Sequence, residues 1–219
     1  MTQVQLLRAR DYPRMPWKNG GGFTEEITRD AGDGLDGFGW RLSIADIEAS
    51  GGFSSFSGYQ RIISVLQGDG MRLSVDGRAS RALLPFDAFA FSGESQVSCT
   101  LLGGAIRDFN LIYSPQRYRA RLQWFEAAAR LFSSAQTVLV FSGQEGLKAG
   151  IEGQGESVLG LYDCLQLSGS TELLEIEASG RCCVIELAQR QGGPIRGQAR
   201  YRASVGAGLP ANRPVKTAQ

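Results

Sequence analysis

Three stretches of this chain gather side chains able to hold or transform a small molecule. The first is PWKNGGGFTEEI, Pro16 to Ile27. Trp17 offers a flat apolar wall, Lys18 a point charge, and Asn19 both a donor and an acceptor. Gly20, Gly21 and Gly22 can present successive backbone N–H groups in conformations closed to other residues, a concave anion site. A phosphate-binding P-loop is excluded by order, since its Lys must follow the glycines and open a helix. Here Lys18 precedes them, and the following FTEEIT is strand-like and acidic. A plain loop with a packed Trp fits the same spacing.

The second stretch is GGFSSFSGYQRIISVLQG, residues 51–68. Arg61 shares a strand face with Ile63 and Val65. Turned inward, its guanidinium needs an anionic partner. At a barrel rim, its head would instead reach water. The third is RDFNLIY, residues 107–113. Asp108 and Asn110 share one face; Phe109, Leu111 and Tyr113 share the other. The two polar residues then face either solvent or a polar pocket. In the second case the aromatics pack against another half of the molecule.

Other chemistries are narrowed by what is missing. The 219 residues contain no histidine. That removes the commonest general base and metal ligand, and every triad that needs imidazole. Cys99, Cys164, Cys182 and Cys183 include no C-x-x-C pair, so they read as small buried hydrophobes in a reducing cytosol. The opening MTQVQLLRARDYPRMP has no apolar core, so no signal peptide is expected. No stretch of about 18 apolar residues suggests a membrane helix, and a cytoplasmic protein is expected. Net charge is +1, which favours neither nucleic acid nor membrane. The charge is uneven, because after Glu186 there are six basic residues and no acid. That tail lacks a helical or aromatic-platform pattern, so its arginines read as solvated and no nucleic-acid partner is expected.

The elements that must position these side chains are strands. In WRLSIADI, Trp40, Leu42 and Ile44 alternate with Arg41, Ser43 and Ala45; MRLSVDG alternates likewise. Such alternation predicts strands with one buried face. RIISVL, FDAFAFSG, QVSCTLL, DFNLIY, RARLQWF, TVLVF, YDCLQLSG and CCVIELA read as further strands, divided by Gly-rich turns. WFEAAARLFSSA alone suggests a helix. The chain also repeats itself: residues 69–93 laid on 145–169 give six identities in 25 positions, where chance gives roughly one or two. Gly70 meets Gly146, Gly77 meets Gly153, and Asp87 meets Asp163. A period this long implies duplication of a whole β unit, hence two packed jelly-roll barrels and an all-β fold.

PWKNGGGFTEEI, FSSFSGYQRIISVLQGDGMRLSVDG and RDFNLIY together resemble the HutD/Ves family, over roughly residues 5–190. Phe56-Ser57-Gly58 stands where that family usually shows Phe-Pro-Gly, and Gln60 where it often has Asp. The resemblance implies a bicupin, two cupin barrels in one chain. We expect an N-terminal half over 1–117 bearing the pocket, a C-terminal half over 118–190, and a basic extension over 191–219. It also implies an accessory role in bacterial histidine utilisation, through binding of a small carboxylate such as urocanate or a formylated amino acid. By motif, the ligand-binding residues are Trp17, Lys18, Asn19, Gly20, Gly21, Gly22, Thr24, Arg61, Asp108 and Asn110. Many cupins hold a metal through three His and one Glu; without His, no metal and no cofactor are expected here. The alternative is a metal-independent isomerase or hydrolase, with Lys18, Asp108 or Tyr59 doing acid–base work. A homodimer is compatible with either.

Overall fold

The structure is a computed structural model, and it describes residues 2–16, 22–32, 37–170 and 172–190. These form nineteen strands and one short 3-10 turn, Ala9–Asp11. Among the described residues no helix is long and apolar enough to cross a membrane.

The first barrel is two facing sheets. Six strands run in the order β2 (Arg14–Pro16), β3 (Gly22–Arg29), β4 (Trp40–Ile47), β11 (Ile106–Tyr113), β6 (Gln60–Gln67) and β9 (Ala88–Ser92). Four more run β5 (Gly51–Gly52), β10 (Val97–Leu101), β7 (Met71–Val75) and β8 (Arg78–Leu83). Ile47, Ile63, Val65, Met71, Leu73, Leu83, Phe91 and Cys99 pack between the two sheets.

The second barrel repeats the plan. One sheet runs β1 (Gln3–Leu7), β17 (Cys164–Ser168), β14 (Thr137–Ser142), β19 (Cys182–Gln189) and β12 (Tyr118–Phe125). The other runs β13 (Ala129–Ser133), β18 (Leu174–Ala178), β15 (Leu147–Ile151) and β16 (Gly155–Leu159). The repeat read from sequence matches these strands: β7 falls on β15 and β9 on β17 at a shift of 76 residues. Gly77 and Gly153 both turn at positive φ, 79° and 76°, in the tight hairpins that follow.

Two expectations are corrected. WFEAAARLFSSA is not helical: β12 ends at Phe125 and β13 begins at Ala129. Strand pairing with β19 and β18 fixes this segment, overriding the helix preference of its alanines. Secondly, β1 hydrogen-bonds along β17, so a strand from the expected 1–117 half completes a sheet of the other half.

The barrels meet sheet to sheet. Trp40, Leu42, Ile44, Phe109 and Leu111 of the six-stranded sheet pack on Leu139, Phe141, Cys164, Cys183 and Ile185 of the five-stranded one. β4 is therefore buried on both faces. Its apolar side forms the seam between barrels, and its polar side, Arg41 and Ser43, looks into the first barrel. The expectation of one buried face fails here, because a central strand between two barrels has no solvent side.

Candidate functional site

The polar side chains of β3, β4, β6 and β11 converge inside the first barrel. Pairing registers place them in successive rows across the sheet. Arg41, Ile112 and Arg61 form one row. Glu26, Ser43, Asn110 and Ile63 form the next, and Thr24, Ala45, Asp108 and Val65 the third. Arg61, Asp108 and Asn110 are 3%, 0% and 7% exposed, so all three lie within the protein rather than at a wet rim. Of the two placements open from sequence, the solvent-facing one is excluded, since Asp108 and Asn110 are buried. Phe109 meanwhile packs 4.5 Å from Phe141 of the second barrel, ring centre to ring centre.

Arg61 is held at one end of this interior. Its Nη1 donates to the Ser54 carbonyl at 3.0 Å. Phe53, Phe56 and Phe91 surround the guanidinium with ring centres 5.1–5.4 Å from its carbon. Cation–π attraction offsets part of the cost of burying the charge. The enclosing segment is tied down by Phe56 N–H to Gly93 O at 2.7 Å and Gly93 N–H to Tyr59 O at 2.8 Å. A Cβ at Gly93 would lie 2.4 Å from the Phe56 carbonyl oxygen, so only glycine permits this closure. Tyr59 donates its hydroxyl to Phe38 O at 2.7 Å, which engages the proton that an acid–base role would require.

Sequence reasoning missed a second polar group, Glu26, Arg29 and Arg41. Arg41 Nε donates to Glu26 Oε2 at 2.7 Å, and Arg29 also grips Glu26. Glu26 and Arg29 are three apart and would face opposite ways in a regular strand. A bulge between Glu26 and Thr28 inserts one residue, turning Ile27 into the seam and Arg29 back inward. The signal for Arg41 was present in the sequence: a charge in mid-strand between Trp40 and Leu42. Alternation gives that strand only one buried face, and a second covering layer leaves no mark in the pattern.

The electrostatics follow from burial. Burial alone would raise the Glu26 carboxyl, but bonds from Arg29 and Arg41 outweigh it and hold Glu26 below the usual range. Asp108 lacks such donors. Burial pushes its carboxyl up to about 7, only partly offset by the Arg61 charge and by the Ala45 backbone N–H, which approaches without hydrogen-bond geometry. Burial lowers Arg61 to about 10, with Asp108 resisting the shift and Arg41 assisting it. Arg61 Nε, both Asp108 carboxyl oxygens and Asn110 Oδ1 are buried without a hydrogen-bond partner. Unpaired buried polar atoms cost about 1–3 kcal/mol each, so four together make this interior the candidate site.

Of the other expected site residues, Gly22 is buried at the start of β3 and pairs with Ile47, and Thr24 pairs with Ala45 in the Asp108 row. Trp17, Lys18, Asn19, Gly20 and Gly21 lie outside the described residues, as does the basic extension. The donor set does not fit a resident divalent metal. The chain has no histidine, and among the described residues no cluster of three or more metal-ligating side chains exists. Three guanidiniums in the interior would repel a cation.

The second barrel has no matching interior. Val184 stands at the place of Asp108, and it packs with Val138, Val140, Leu147 and Leu165 in a continuous apolar core. Duplication has kept the scaffold in both halves and the polar interior in the first.

The comparisons agree with the fold. A Pseudomonas putida protein described as an uncharacterized 21.2 kDa protein in the hutC 3′ region is 74% identical over 190 residues, 87% of this chain and 100% of that one. Protein Ves of Escherichia fergusonii is 34% identical over 148 residues, 64% of this chain and 74% of its own. The solved structure of HutD from Pseudomonas fluorescens SBW25 has a TM-score of 0.79 at 63% identity, covering 86% of this chain and 100% of that one. The fold is a bicupin. With the HutD family model matching residues 9–184, the chain belongs to the HutD family.

Proposed function

We propose that the first barrel binds a small carboxylate metabolite, and that the protein serves histidine utilisation as a binding or regulatory accessory. One observation carries this reading: a buried guanidinium, Arg61, whose Nε has no partner inside a barrel that also holds Arg29 and Arg41. Against these three cations stand Glu26, already paired, and Asp108, which burial drives toward its neutral form. The interior charge is positive, and a carboxylate is the anion a guanidinium fork matches. The relative in the hutC 3′ region and the named HutD structure support the pathway assignment. Urocanate and N-formylglutamate are the candidates we favour. The PWKNGGG stretch is proposed as one wall, with Trp17, Lys18, Asn19 and the glycines facing the ligand. It joins β2 to β3 two residues before Thr24, which shares the Asp108 row.

A metal-independent isomerase or hydrolase is the second reading. Asp108 favours it, since a carboxyl near 7 can both give and take a proton at neutral pH.

Calorimetric titration of urocanate and N-formylglutamate into wild type, Arg61→Ala and Arg61→Lys tests the proposal beside thermal melts. A charge-assisted bond contributes roughly 1.5–3 kcal/mol, so Arg61→Ala should weaken binding about 10- to 150-fold. Lys should restore only part, lacking the planar fork. Unchanged affinity with a lowered melting temperature makes Arg61 a structural clamp and removes the proposed site. Turnover of either compound, followed by NMR, selects the enzyme reading.

A further inference from the structure

The unpartnered atoms inside the first barrel have an order as well as a number. Arg61, Asn110 and Asp108 occupy three consecutive rows of the sheet. Rows on one face are spaced ~6.8 Å apart along an antiparallel strand. The free donor, Arg61 Nε, belongs to the first row. The free acceptors belong to the next two: Asn110 Oδ1, then both oxygens of Asp108. Arg61 and Asp108 form no ion pair within 4.0 Å, so neither satisfies the other.

A ligand that is only a carboxylate can meet Arg61 and the Asn110 amide N–H, but it offers no donor to Asn110 Oδ1 or to an Asp108 carboxylate. A ligand that satisfies the whole set carries its carboxylate at one end and hydrogen-bond donors along its length. Accepting the carboxylate site proposed above, we infer that the first barrel selects carboxylates that bear N–H donors, and reads those donors with Asn110 and Asp108. The chemical class is an amino-acid derivative or azole acid with a free N–H, set lengthwise across the three rows.

The inference separates compounds of nearly equal shape. trans-Urocanate has an imidazole N–H; 3-(2-furyl)acrylate is close in size and has none. N-Formylglycine has an amide N–H that N-formylsarcosine replaces with a methyl. Titrating both pairs into wild type should show the N–H member of at least one pair binding tenfold or more tightly, because a buried acceptor left unpaired costs that much. The preference should fall to within about twofold in Asp108→Val, which copies Val184 of the second barrel. Should that variant fail to fold, Asp108→Asn and Asn110→Ala should each reduce the preference. Equal and measurable binding within both pairs overturns the inference and leaves the carboxylate site standing. A preference untouched by all three substitutions also overturns it, by placing donor recognition elsewhere. If no member of either pair binds, the carboxylate site falls and this inference falls with it.

Discussion

Phe86 and Tyr162, 76 residues apart, hold the same left-handed backbone position, at φ 68° and 66°. Each precedes an aspartate that closes a turn: Asp87 Oδ2 accepts from Leu84 N–H at 3.1 Å, and Asp163 Oδ2 from Gly160 N–H at 2.8 Å. Each ring lies at the seam between barrels, Phe86 4.8 Å from Trp124 and Tyr162 stacked at 5.8 Å on Phe141. Left-handed backbone costs a residue with a Cβ roughly 1–2 kcal/mol. Turn closure and ring packing hold both residues there.

That balance inverts a familiar ranking. Tyr162→Ala should destabilise by about 2–4 kcal/mol through lost packing. Tyr162→Gly loses the same ring but relieves the backbone, so it should be at least as stable as the alanine variant. In an ordinary strand position glycine is worse than alanine by roughly 0.5–1 kcal/mol. Urea unfolding of both variants decides it; alanine ahead by that margin would show that the turn carries no strain.

Asp108 should make stability fall with rising pH. Its carboxyl titrates near 3.8 when unfolded and about 7 when folded, so between those values the native state holds the extra proton. By linkage, stability is highest near the lower value and declines through the higher one. The shift corresponds to about 4 kcal/mol at most. Glu26 and Asp46 are shifted downward, so their losses begin at the ordinary carboxylate values of 4.5 and 3.8 and run to lower pH. Arg61, lowered only to about 10, remains charged throughout. Denaturation at pH 5, 6, 7 and 8 should show the decline in wild type and a nearly flat profile in Asp108→Asn. Parallel profiles would mean that Asp108 is solvated in the native state.

Asp163 anchors the first strand. It accepts from Ala9 N–H at 2.8 Å and from Arg8 Nη1 at 2.7 Å, besides Gly160. Asp163→Ala leaves those donors unanswered and should cost about 2–4 kcal/mol. Amides of Gln3–Leu7 should lose hydrogen-exchange protection before those of β14 or β19. Uniform loss across the sheet would show instead that the strand is locked by its ladder alone.

What the sequence made legible follows from what each pattern depends on. Duplication could be read because turns obey local rules: Gly77 and Gly153 must go where a hairpin needs positive φ. The two faces of β11 could be separated because parity is fixed by the backbone. Which face met solvent was not legible, since that depends on a layer hundreds of atoms away. Arg41 was lost for that reason, and Asp108 was left with two placements. Arg29 needed a bulge, which alternation alone cannot announce. The alanines after Trp124 favour helix locally, and only partner strands overrule them.

The seating of β1 bears on how the protein is made. Residues 3–7 leave the ribosome well before their partners, 164–168, which lie 157 to 165 residues further along the chain. At ordinary synthesis rates that interval is on the order of ten seconds. By the time β11 is complete, at Tyr113, every strand of the first barrel has been made, while β1 still lacks its partner. Pairing β1 with β17 joins the two ends of a long loop, an entropically slow step. A chain cut between β11 and β12 would orphan β1 on one fragment and bare β17 as an open edge on the other. The strand that crosses from one end of the chain thus ties the two barrels together, and neither half carries all of its own sheet partners.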